Sequence, residues 1–174
     1  MKRSIAFACA VLLAAVPALS KALEITVHLT SEHGIGDKIG TIRAEDTPYG
    51  LLLTPSLAGL APGLHGFHVH EHASCECSEK DGKMVAGLAA GNHYDPASTG
   101  KHLGPYSADG HLGDLPPLYV AADGSATLAV LAPRLKIKDL AGRAIMIHAG
   151  GDNYSDEPAV LGGGGARVAC GVVQ

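Results

Sequence analysis

Residues 66–77 read GFHVHEHASCEC and hold three histidines and two cysteines within the last ten positions. Residues i and i+2 of a strand project from one face, so His68 and His70 form a two-imidazole chelate, with Phe67 and Val69 facing the core. Taken singly, the same H-x-H pair also suits a polar, solvated face. A further imidazole, His148, ends the apolar run RAIMIH, where it shares a face with Ala144 and Met146. His93, His102, His111 and Asp114 occur in GNHYDP, GKHLGP and DGHLGDL, each flanked by Gly or Pro that lets the backbone turn a side chain inward. Three imidazoles and one carboxylate complete a tetrahedron suited to zinc. An all-imidazole set without thiolate or thioether suits copper(II) or zinc. Imidazole ligands need a carboxylate behind them to fix the tautomer, and Asp152, four residues past His148, is placed for that role.

The elements that must position these residues read as strands. LEITVHLT alternates Leu23, Ile25, Val27 and Leu29 against polar neighbours. IGTIRAE, GLLLTPSL, LHGFHVHE, PPLYVA, SATLAVLA, RAIMIHA and ARVACGVV supply seven more. SEHGIGDK reads as a turn region, and RLKIKDL is the single helical candidate. About eight short strands joined by turns imply an antiparallel sandwich or barrel. Residues 73–117 break the pattern. So long an irregular stretch in a compact domain is disordered or functional, and a functional one needs tethers.

Cysteine usage offers a tether. Met1–Ser20 combine a basic start with an apolar run and small residues at Ala18 and Ser20, the pattern of a secretory signal cleaved after Ser20 or Ala22. The expectation is a signal over 1–20 and one domain over 21–174. Cys9 leaves with the signal, and an oxidising compartment favours one disulfide among Cys75, Cys77 and Cys170. Cys75 and Cys77 are too close in an extended stretch to bridge easily, which leaves Cys170 as the partner of one of them. Loss of Lys2 and Arg3 moves the formal net charge from −4 to −6. That charge argues against nucleic acid and anionic membranes as partners. An anionic substrate would need a local positive site.

The segments GLHGFHVHEHASC, AGLAAGNHYDP, TGKHLGPYSADGHLGDLP, RAIMIHAGGDNYSD and LGGGGARVACGVV, in this order, resemble the copper/zinc superoxide dismutase family, in particular its exported bacterial branch. The resemblance covers nearly all of the chain after the signal. It implies an eight-stranded antiparallel Greek-key β-barrel with a long metal-binding, disulfide-tethered loop. It implies copper held by His68, His70, His93 and His148. It implies zinc held by His93, His102, His111 and Asp114, with His93 shared by both metals. Asp152 would accept hydrogen bonds from His68 and His102, Cys75 would pair with Cys170, and Arg167 would attract the anion beside copper. The substrate would be superoxide, converted to dioxygen and hydrogen peroxide with His93 supplying a proton, and the location would be the periplasm. Exported members include monomers and dimers, and a homodimer is the expectation here.

Two residues depart from the family pattern. His72 stands where relatives have a non-ligand and is expected at the surface, and Cys77 has no family role. His28 and His33 are likewise unassigned, and Lys80 and Lys83 are candidates for long-range steering. Three other readings compete. A zinc hydrolase would leave the second cluster unexplained. A blue-copper carrier wants Cys and usually Met beside His. A metal-binding protein of the same fold without turnover uses the same ligands.

Overall fold

The computed structural model describes residues 22–174; the expected signal at 1–20, with Cys9, lies outside them. Eleven strands follow in order: β1 (Leu23–Ser31), β2 (Gly34–Thr47), β3 (Gly50–Leu57), β4 (Gly63–His65), β5 (Phe67–His70), β6 (Ser78–Lys80), β7 (Lys83–Val85), β8 (Leu118–Val120), β9 (Val130–Ala132), β10 (Arg143–His148) and β11 (Arg167–Val173). Seven form one antiparallel sheet in the order β5-β10-β11-β1-β2-β3-β9. Strand β4 pairs with β8. Only Gly66 separates β4 from β5, so together they act as one bent strand joining β8 to β10. A tight turn, with Ala121 N–H donating to Ser125 O and Gly124 N–H to Ala121 O, links β8 toward β9. The sheet thus curls into the expected antiparallel barrel. No helix of the described residues is long and apolar enough to cross a membrane.

The core follows from the period-2 pattern. Ile25 and Val27 of β1, Ile42 and Ala44 of β2, Leu51 and Leu53 of β3, Phe67 and Val69 of β5, and Ile145 and Ile147 of β10 are all buried inside one cluster. A second, smaller cluster lies on the other face of β10 and β11. It gathers Ala144, Met146, Cys170, Cys75 and Ala90. This is the floor on which the long loop rests.

Three local expectations are corrected. SEHGIGDK is mostly strand: β2 starts at Gly34, and the β1–β2 ladder continues with shifted register past Val27 to pair Ser31 with Gly34. Backbone pairing there does not need an apolar face. LHGFHVHE is two strands, because its halves bond to different neighbours, β8 and β10. The 73–117 segment also contains a hairpin, β6–β7, turning at Asp81 and Gly82 with φ of 53° and 74°. Asp-Gly is the favoured pair for that left-handed turn, so the signal was present in SEKDGK. RLKIKDL does hold a short 3-10 turn, Ile137–Leu140.

Candidate metal centre

His68 and His70 project from β5 away from the core, yet both are fully buried. Here the reading of an outward-facing pair needs amending, because the long loop covers that face. The loop lies along the free edge of β5. Val69 N–H donates to Gly113 O (2.8 Å), Tyr94 N–H to Val69 O (2.8 Å) and Leu115 N–H to Phe67 O (3.2 Å). These bonds set His93 opposite His70 and Asp114 opposite His68. Gly113 permits the approach, since a Cβ there would strike Val69 O and Tyr94 N.

On the other side, β10 delivers His148 against β5. Ring nitrogens of His68, His70, His93 and His148 lie within 4.8 Å of one another. A second set, all within the same limit, joins His68, His93 and His102 to Asp114. His111 sits just outside that set, its Nδ1 3.5 Å from Asp114 Oδ1. His93 and His68 therefore belong to both groups, and their rings stack at 3.8 Å.

The hydrogen bonds fix which nitrogen of each ring is bare. His70 Nδ1 donates to Gly91 O (2.9 Å) and His148 Nδ1 to Gly165 O (3.2 Å). Carbonyl oxygens only accept, so both neutral rings leave Nε2 without a proton. Those two Nε2 atoms face each other at 3.4 Å, lone pair to lone pair. Asp152 accepts from His68 Nε2 through Oδ2 and from His102 Nε2 through Oδ1, each at 2.7 Å. That leaves His68 Nδ1 bare, and His102 Nδ1 open to a metal once its proton is displaced. His68 Nδ1, His93 Nε2, His102 Nδ1 and His111 Nδ1 are all buried without a partner. A buried unpaired polar atom costs about 1–3 kcal/mol, and this many unpartnered nitrogens converging on two points call for cations. The donor set, imidazoles on one side and imidazoles with a carboxylate on the other, fits copper and zinc.

Protonation agrees with ligation. Burial holds His68 down at about 3 and His148 at about 4, and it holds His70 well below the usual imidazole value. His93 is lowered for the same reason. These rings are neutral at pH 7 and their lone pairs are available. His102 goes the other way. Burial alone would lower it, but Asp114 and Asp152 outweigh that and raise it to about 9. In the metal-free protein it carries a proton that a metal must displace. Despite their burial, Asp114 and Asp152 are held well below the usual carboxylate range by the imidazoles they face.

Arg167 opens β11 beside His148. Its Nη1 and Nη2 donate to Gly87 O and Gly91 O, each at 2.7 Å. Gly91 O also accepts from His70, so one carbonyl ties the guanidinium to a ring of the first cluster. A cleft of about 220 Å³ lined by His93, His148, Val160, Leu161, Gly165 and Arg167 leads to this point. Cys75 and Cys170 are disulfide-bonded, with Cα atoms 5.7 Å apart, and Cys77 is a free, half-buried thiol. His72 and His33 are exposed and belong to neither cluster. Lys80 and Lys83 face each other, exposed, across the β6–β7 hairpin.

Sequence reasoning missed three supporting residues. Buried His65 sits between His148 O (2.6 Å) and Ala61 O (2.7 Å), bracing the end of β10. Asp156 accepts from the N–H groups of His102 and Leu161. Arg134 donates to Gly110 O and His111 O, holding the far arm of the loop. No local pattern marks them, because their partners lie from 4 to 83 positions away.

Known proteins resemble this chain in sequence and fold. Residues 38–173 match the family model described as copper/zinc superoxide dismutase. The copper-zinc superoxide dismutase of Photobacterium leiognathi is 59% identical over 153 residues, covering 88% of each chain. A solved copper/zinc superoxide dismutase from Brucella abortus superposes with a TM-score of 0.86 at 49% identity, covering 88% of this chain and 100% of that one. The solution structure of the monomeric enzyme from Salmonella enterica gives 0.80 at 50% identity, with the same coverage. The chain belongs to the copper/zinc superoxide dismutase family, an oxidoreductase that uses copper and zinc to dismute superoxide to dioxygen and hydrogen peroxide.

Proposed function

We propose that His68, His70, His93 and His148 hold the copper, and that His93, His102, His111 and Asp114 hold the zinc. The observation that carries this reading is the pair of opposed nitrogens on His93. Its Nε2 is buried without a partner, while its Nδ1 lies 3.1 Å from Asp114 Oδ1. One ring thus serves both clusters.

Copper held there would supply one-electron redox chemistry, and zinc held by its set would supply a fixed positive charge next to His93. The chain's own groups do the rest. His93 Nε2 can take up a proton and give it to the leaving peroxide, while Nδ1 stays anchored on the Asp114 side. Arg167, immobilised by two carbonyls, presents its charge at the end of the cleft, where a small anion is desolvated and oriented. Asp152 holds His68 and His102 with Nδ1 free. Against a chain net charge of −4, that local cation is what makes the cleft attractive to superoxide.

The same reading places residues 1–20 as a secretory signal, residues 21–174 as the single mature domain, and the enzyme in the periplasm. The Cys75–Cys170 disulfide fits that oxidising compartment. It also holds the enzyme to be a homodimer, supported by the exposed cross-strand pair Leu64 and Tyr119 on β4 and β8. Sedimentation of the purified protein tests that point, and a monomer at micromolar concentration rejects it.

The ligand assignment is tested by His148→Ala, with metal content and superoxide consumption measured on the mature protein. Copper and activity should be lost while zinc stays. Loss of zinc with copper retained would show that the clusters are assigned the wrong way round.

A further inference from the structure

His28 lies outside the metal centre and has no part in the mechanism above. It is half-buried on β1, in register with Cys170 of β11. Directly opposed residues of an antiparallel pair have Cβ atoms about 4.5–5.5 Å apart and point the same way. The imidazole therefore stands beside the disulfide. A groove of about 380 Å³, lined by Thr26, His28, Ile35, Cys75, Cys170 and Val172, opens at this place. His28 Nδ1 donates to Gly36 O at 3.1 Å, so its Nε2 carries the lone pair. Cys170 faces an apolar surround of Ala90, Ala144 and Met146. Such a surround disfavours a bare thiolate, and the thiolate is the form that exchanges. A proton acceptor beside Cys170 removes that obstacle.

We propose that this groove is a thiol–disulfide exchange site for low-molecular-weight disulfides and thiols, with His28 carrying the proton of Cys170. In the oxidative direction a small disulfide RSSR first reacts with the Cys75 thiol, giving Cys75–S–S–R and RSH. His28 Nε2 then takes the proton of the Cys170 thiol. The Cys170 sulfur attacks Sγ of Cys75, the Cys75–SR bond breaks, and RS⁻ leaves with the electron pair to collect the proton from the imidazolium. The sum is two protein thiols plus RSSR giving the protein disulfide plus two RSH. Reduction by a small thiol runs through the same steps in reverse, with His28 returning the proton to Cys170. The consequence is control over the tether, because this bond pins the start of the metal-bearing loop to β11.

The test uses the full mature protein, reduced without denaturant, desalted, and mixed with oxidised glutathione. Free thiols are trapped with maleimide and counted by mass. His28→Gln should slow closure of the Cys75–Cys170 bond about tenfold or more without changing the final extent. His33→Gln, an exposed imidazole outside the groove, should match the parent rate. A His28→Gln rate within twofold of the parent, or an equal slowing by His33→Gln, overturns the proposal. Repeating the comparison in a Cys77→Ser background should preserve the His28 effect; its disappearance there would mean that His28 serves Cys77 instead. Should the reduced His28→Gln protein fail to stay folded, the oxidised variant is treated with reduced glutathione. Opening must then be slowed by a similar factor, and an unchanged opening rate rejects the idea.

Discussion

Replacing Asp152 by Asn changes one oxygen to an amide nitrogen, and the geometry dictates which one. Oδ1 accepts from His102 Nε2 at 2.7 Å and also from the Tyr154 backbone N–H at 2.8 Å, whereas Oδ2 serves His68 alone at 2.7 Å. An amide NH₂ at the Oδ1 position would face two donors. At the Oδ2 position it faces one. The Asn oxygen therefore stays with His102 and Tyr154, and the NH₂ meets the His68 Nε2–H. His68 relieves that clash by moving its proton to Nδ1, the buried nitrogen that otherwise has no partner. A protonated Nδ1 cannot bind metal. Loss of such a supporting partner weakens metal affinity by about 10–100-fold, or about 1.4–2.7 kcal/mol. Asp152→Asn should thus weaken copper by that amount and zinc by less. Asp152→Ala, which removes both acceptors, should weaken both. Titration of the metal-depleted variants against chelators of known affinity reads the two constants separately. Zinc weakened more than copper in the Asn variant would refute the orientation argument, and unchanged copper would refute the role of Asp152 in holding His68.

Three more outcomes are expected. Arg167→Ala should keep its copper and zinc but consume superoxide at least about tenfold more slowly at low salt, the lower end of what focused charge contributes to anion capture; equal rates in parent and variant would return Arg167 to a purely structural part. The metal-free protein should lose thermal stability as pH falls from 6.5 toward 4, because His148 and His68, held at about 4 and about 3, refuse protons that the unfolded chain accepts. His102, raised to about 9, has the opposite sign: its stabilisation is whole below 6.5 and is lost as pH rises through 9, so a melting temperature that keeps climbing from pH 6.5 to 9 contradicts the His102 part, and one that does not rise between pH 4 and 6.5 contradicts the His148 and His68 part. Cys170→Ser opens a loop spanning 95 positions and should lower the unfolding free energy of the metal-free protein by about 4–5 kcal/mol on chain-entropy grounds, seen as a lower urea midpoint; an unmoved midpoint speaks against the tether.

Much of the centre was legible locally. The i, i+2 spacing put His68 and His70 on one face, and alternation put Phe67, Val69, Ile145 and Ile147 inside. Both follow from strand geometry, which acts over a few residues. Residue chemistry then limited the cations, since imidazoles with one carboxylate and no thiolate favour copper and zinc.

The sequence by itself determined the ligand types, the barrel-forming alternation and the need for a tether on the long loop. Only the tertiary structure decided that His68 and His70 are buried, since the cover comes from residues 93–115 pairing along the edge of β5. Only it decided which nitrogen of each ring is bare, because Gly91 O, Gly165 O and Asp152 reach those rings from 17 to 84 positions away. Only it set His28 beside Cys170, through the pairing of the first and last described strands. Hydrogen-bond direction and burial are properties of what surrounds a group, and in a barrel most of what surrounds it is distant in sequence.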